Sequence, residues 1–172
     1  MKTWKSILKE ELKICREKGY TVGIIFDTVQ QTMPNYKIND LEHTGAYFHP
    51  KRNRETGELT GEIHIDDSPK DVNLQITMIF HEFGHAHFYF KHPNETSNSQ
   101  ISEKISEVAA YTYSLKKLLE LFNSNQKDPL KETITRIKNK YDDEAFPPNW
   151  REAIGEVMKT ELWKTCKDLI NN

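Results

Sequence analysis

The sequence predicts an α+β fold, and three observations carry that prediction. Apolar residues between positions 4 and 15 recur at helical spacing among lysines and glutamates. Short β-branched and aromatic runs then lie between positions 20 and 66. From there to the end of the chain the pattern is helical, broken by short polar loops. A helix, a small set of strands and a run of helices make an α+β domain. No linker divides the 172 residues, so one domain spanning 1–172 is expected, large enough for a real core.

The first helix places Trp4, Ile7, Leu8 and Leu12 on one face and stops at Gly19. Interrupting charges make it an amphipathic helix rather than a secretory signal. Residues 20–29 (YTVGIIFDTV) read as a strand, and residues 30–44 as a polar loop. Residues 46–49 (AYFH) and 62–66 (EIHID) read as two more strands, joined as a hairpin by the turn-rich KRNRETGELTG. A long helix is expected to start near Asp66-Asp67-Ser68-Pro69. Ser68 suits the cap, Pro69 the first helical position and Asp71 the first turn. It ends about Lys91, before Pro93, and is apolar almost all round, which marks a buried helix. Further helices are expected over 99–122, 130–140 and 150–170.

Hydrophobic residues make up 36% of the chain and charged residues 29%, with a net charge of −2. Acids and bases are interspersed and no basic block stands out, so nucleic acid is not an expected partner. No apolar run approaches the length of a membrane span. Cys15 and Cys166 have no C-x-x-C spacing and are expected as free thiols in packing positions, in keeping with a cytoplasmic protein.

The chemistry concentrates at residues 80–88, F-H-E-F-G-H-A-H-F. At about 100° per residue, positions four apart share a helix face, so His81 and His85 can place two imidazoles on one ion. Glu82 points aside from that axis, where a carboxylate can hold a water and take its proton. This is the mechanical content of H-E-x-x-H. Two histidines and a glutamate buried without partners would be costly, and a metal removes most of that cost. One Zn2+ per chain is therefore expected.

A catalytic zinc takes three protein ligands and keeps a position open. The extended H-E-x-x-H-x-x-G-x-x-H pattern fails, because its glycine falls at Phe88 and its last histidine at Lys91. No histidine follows His92, and His87 lies off the ligand face. A downstream carboxylate is the expected third ligand, with Cys166 a remote option. Residues 102–111 (SEKISEVAAY) offer Glu103 and Glu107, one helical turn apart.

H-E-x-x-H followed by a second helix bearing E-x-x-A, here Glu107-Val-Ala-Ala110, resembles the zincin-like, Glu-ligated zinc metallopeptidases, or gluzincins. The resemblance covers residues 20–115. It implies a small mixed sheet packed on the H-E-x-x-H helix with further C-terminal helices. It also implies zinc held by His81, His85 and Glu107, with Glu82 as general base. That family often has an aspartate four residues after the ligand, where this chain has Tyr111, so Glu103 as ligand with Glu107 in support remains the alternative. Within the clan, the chain's size resembles the ImmA/IrrE-type peptidases, which act on or with a regulatory protein.

In zincin folds the strand before the active helix borders the cleft and can pair with an extended substrate. His64 would then line the cleft, although a solvated strand histidine is the simpler expectation. Tyr111, Tyr113, Tyr141 and Arg151 are candidates for holding an oxyanion. The function expected is zinc-dependent hydrolysis of peptide bonds in a protein or peptide substrate. Two other classes compete with it: a metal-containing regulatory or interaction module with little turnover, and a structural helical protein carrying the motif by accident.

Overall fold

The computed structural model describes residues 1–26, 46–66, 71–94 and 100–171, without the side chains of residues 100–102. Helix α1 (Trp4–Glu17) opens on Thr3, whose side chain accepts a hydrogen bond from the Ser6 amide. It buries Ile7, Leu8, Glu11 and Cys15 along one face. The helix closes where the Tyr20 amide reaches back to the Cys15 carbonyl and the Gly19 amide to the Arg16 carbonyl. That closure needs a residue at positive φ, and Gly19 supplies it at 75°.

Strands β1 (Val22–Phe26), β2 (Ala46–Arg52) and β3 (Leu59–Ile65) form one sheet in the order β1-β3-β2. β1 runs parallel to β3, and β2 antiparallel to it. The β2–β3 turn is set by Asn53, whose side chain accepts from the Glu55 and Thr56 amides. Both hairpin strands are longer than their apolar cores suggest, because ladder bonding continues through polar residues up to that turn. The first expected strand, over residues 20–29, is seen over Val22–Phe26, and residues 27–29 lie outside the described residues.

Alternation along β3 sends Ile63 and Ile65 into the core, opposite Phe48 and Ala46. His64 lies on the other face, but it is buried rather than solvated. The Tyr47 ring stacks on it at 4.4 Å, and Glu62 approaches its Nε2 to 3.6 Å. A second expectation also fails. β3 is the central strand, paired on both sides, so no substrate can add to it.

Helix α2 (Val72–Lys91) starts one residue after Asp71, whose carboxylate accepts from the Asn73 and Leu74 amides. Asp71 is thus the cap itself rather than a first-turn residue, a contribution of about 1 kcal/mol. Ser68 and Pro69 lie outside the described residues. As the sequence predicts, α2 is buried almost all round, with Ile76, Ile79 and Phe83 fully covered. Each such side chain contributes about 1.5–3 kcal/mol of burial.

Helix α3 (Gln100–Asn123) makes the most extensive contact with α2 and adds Leu115 and Leu118 to the shared core. The two backbones meet at Gly84, where a Cβ would stand 2.6 Å from the Ala110 Cα. Helix α4 (Asp128–Asp142) is tied to α2 by a 2.7 Å hydrogen bond between Thr77 and Thr133.

The last expected helix is two. α5 (Pro148–Met158) ends where the Lys159 and Thr160 amides turn to carbonyls three residues back. α6 (Glu161–Asn171) begins anew with the Thr160 hydroxyl accepting from the Trp163 amide. Among the described residues, no helix is long and apolar enough to cross a membrane.

Candidate metal centre

His81 and His85 stand one turn apart on α2, and their Nε2 atoms point at each other across 3.2 Å. Glu107 of α3 closes the triangle. Its Oε2 lies 3.3 Å from His81 Nε2 and its Oε1 3.3 Å from His85 Nε2. Four-coordinate zinc takes N and O donors at about 2.0–2.1 Å, and tetrahedral donors at that radius stand about 3.3 Å apart. The two imidazoles and the carboxylate thus fit a small divalent ion in chemistry, and one donor atom from each lies within 4.8 Å of the others. Among the described residues, this is the one group of three or more His, Cys, Asp or Glu side chains close enough to share a metal.

The helix pair makes this meeting possible. Gly84 lies between the two histidines, and its missing side chain lets Ala110 of α3 approach α2 closely. Ala110 is one turn beyond Glu107, so that close approach also brings the Glu107 carboxylate within reach. Glu103 is placed elsewhere. It is exposed one turn earlier and accepts a 2.9 Å hydrogen bond from Trp150 Nε1 of α5. Cys166 is buried in the core on α6, apart from the cluster.

One supporting residue is illegible in the sequence. Ser106 Oγ lies 2.8 Å from His85 Nδ1. A histidine that binds through Nε2 carries its proton on Nδ1, and Ser106 is placed to accept it, which fixes the tautomer and the ring plane. A serine beside a glutamate carries no pattern of its own, so only the packing of α3 on α2 reveals it. On His81 the packing partner is Tyr111, whose ring lies edge-on at 4.6 Å.

Glu82 is buried next to the cluster on the sheet side. Burial raises its pKa above the usual carboxylate value. The charges of His85 and His81 and the Phe48 backbone amide of β2 partly oppose this, while Glu107 adds to it. At His85, burial works against the charged form, but the Glu107 carboxylate and the Glu82 charge outweigh it and raise the pKa to about 9. Glu107 in turn is held well below the usual carboxylate range. The cost of burial is outweighed there by the His85 charge and by hydrogen bonds from both imidazoles. This pairing favours a proton on His85, which a metal bound there would displace.

The other sequence candidates divide. Tyr111 alone of the four oxyanion candidates is seen packed against the cluster. Tyr141 is 44% exposed and lies against Gly155. Arg151 has a buried Nε with no hydrogen-bond partner among the described residues.

Tyr113 belongs to a separate buried network. It donates a short hydrogen bond to Glu11 of α1 and lies 3.1 Å from His87 Nε2. Lys117 reaches the other Glu11 oxygen at 3.1 Å. His87 accordingly faces away from the metal cluster, as its position in the motif predicts. No protein-family model, curated protein or solved structure matches the chain.

Proposed function

We propose that the protein is a zinc-dependent hydrolase of peptide bonds. The observation that carries this reading is the meeting of His81, His85 and Glu107 with a buried Glu82 beside them. His81 and His85 would hold the zinc through Nε2, and Glu107 through its carboxylate. When bound, zinc supplies the Lewis acidity that polarises a carbonyl and acidifies a water.

The rest of the chemistry belongs to the chain. Glu82 takes the proton of the attacking water and delivers it to the departing amine. Its burial suits both transfers, because a carboxylate held in a low-dielectric setting is a better base than an exposed one. Ser106 keeps the His85 ring aimed, and Tyr111 keeps the His81 ring in place. An extended peptide is the natural substrate. β2 is one of the two outer strands of the sheet among the described residues, and its Phe48 amide neighbours Glu82. A segment laid along β2, rather than along β3, would bring its carbonyl to the base. An unstructured stretch of a protein meets that requirement, and a regulatory protein is the target the family resemblance implies.

The test is Glu82→Gln. Glutamine is nearly the same size and keeps a hydrogen bond to the water, but it accepts no proton. Metal content and the folding transition should be unchanged, while hydrolysis of a trapped protein target falls by about 10²–10⁴-fold. Cleavage at the full rate by the folded, metal-loaded variant would rule out Glu82 as the base.

A further inference from the structure

The site has a cation beside it that the proposed chemistry does not use. Lys140, near the end of α4, is half-buried, and its ammonium sits 5.3 Å from the centroid of the Phe146 ring. Phe146 packs on Trp150 with ring centroids 5.5 Å apart. Trp150 donates to Glu103, one turn before Glu107 on α3. An aromatic wall thus runs from α3 to Lys140 and holds the ammonium on the Glu103–Glu107 side of the molecule.

Among the described residues, Lys140 forms no ion pair. The carboxylates whose charge it feels are Glu107 and Glu82, both committed to the cluster, and Arg136 repels it from its own helix. A half-buried ammonium with an aromatic face on one side and no ion pair has given up hydration without full compensation. An anion on a bound substrate would provide that compensation.

We propose that Lys140 recognises a carboxylate on the substrate, so that the site prefers acidic peptides with that carboxylate close to the scissile bond. The proposal rests on the hydrolase reading of the same site. Lys140 is a specificity residue here. The carbonyl is activated elsewhere, and the ammonium sets which peptide is held. The carboxylate has two sources in a peptide, the chain terminus and an aspartate or glutamate side chain.

Three succinyl hydroxamates separate these possibilities. One carries alanine with a free carboxylate, one alanine amide, and one aspartic acid amide. The hydroxamate anchors each on the metal, and only the charged group differs. Their binding to the cobalt-loaded protein is read from its visible spectrum, for wild type, Lys140→Met and Lys140→Arg.

At least one charged probe should bind wild type about tenfold more tightly than the neutral one, as expected for a partly desolvated ion pair. Whichever charged probe gains identifies the source. Lys140→Met should erase the preference while leaving the neutral probe and cobalt content unchanged, and Lys140→Arg should retain most of it. Equal binding of all three probes to wild type, or a preference that survives in Lys140→Met, would overturn the proposal and leave the hydrolase reading standing. Failure of every hydroxamate to perturb the cobalt spectrum would overturn both.

Discussion

Four side chains build the candidate metal centre, and two physical constraints place them. His81 and His85 are paired by helical repeat alone, which is why they are legible in a single stretch of sequence. Glu107 and Ser106 are supplied by another helix. Glu107 is one of two downstream glutamates that the sequence offers, singled out by the E-x-x-A pattern, and Ser106 is not legible at all. Their roles separate by metal affinity. Glu107→Ala should weaken zinc binding most, Ser106→Ala by about tenfold through loss of the His85 hydrogen bond, and Glu103→Ala scarcely. Competition with a chromophoric chelator measures all three. A greater loss for folded Glu103→Ala would shift the register by one turn.

His87 offers an independent residue-scale check. Tyr113 spends its proton on Glu11, so His87 Nε2 is the donor to Tyr113 and the buried Nδ1 is left without a partner among the described residues. Burial, aided by the charges of Lys18, Lys117 and Lys91, lowers its pKa to about 4 from 6.5. Between those values the unfolded chain takes up a proton that the folded chain refuses. Stability is therefore present above pH 6.5 and lost as the pH falls towards 4, on the order of 1–3 kcal/mol. Urea denaturation across that window should show a shallower decline for His87→Gln than for wild type. Parallel curves would mean that His87 is not held neutral.

The meeting of α2 and α3 is the element-scale event on which the site depends. Gly84 sits inside the motif, but its reason is the other helix. A Cβ there would stand 2.6 Å from the Ala110 Cα and 2.9 Å from its carbonyl oxygen, and backbone cannot swing aside as a flexible side chain can. Gly84→Ala gains helix propensity on α2, yet it should cost a net 1–3 kcal/mol or so and weaken metal binding, because pushing the helices apart moves Glu107 away from the histidines. Denaturation and a zinc titration on the same sample test both halves. An unchanged or raised stability would show that the helices can part without strain.

Elements read less well where their limits depend on distant partners. The β3 pattern was visible, but its central place was not, since strand order is settled by which strands flank it. The α5–α6 break has no signal in the sequence, because neither Gly nor Pro marks it. Thr160 does the work with one hydroxyl, and threonine also occurs inside helices.

At the scale of the whole molecule, the division into a sheet-bearing first part and a helical remainder followed from hydrophobic period, and the α+β architecture agrees with it. What the period does not contain is which helix ends converge. Lys140 of α4, more than thirty residues after Glu107, is packed over Phe146, which lies against Trp150, an arrangement that no local pattern announces. The fold holds two polar centres on opposite sides of α2. One joins His87, Tyr113, Glu11 and Lys117 and ties α1 to the helical core. The other is the His81–His85–Glu107 cluster, and the central claim is that this cluster is a zinc site. Crystals grown with zinc, with anomalous diffraction recorded on both sides of the zinc absorption edge, test that claim directly. The account predicts one strong peak per chain, about 2 Å from His81 Nε2, His85 Nε2 and a Glu107 oxygen. Fully ordered His81 and His85 with no peak between them, or a peak whose ligands include Glu103 or Cys166 in place of Glu107, would contradict it.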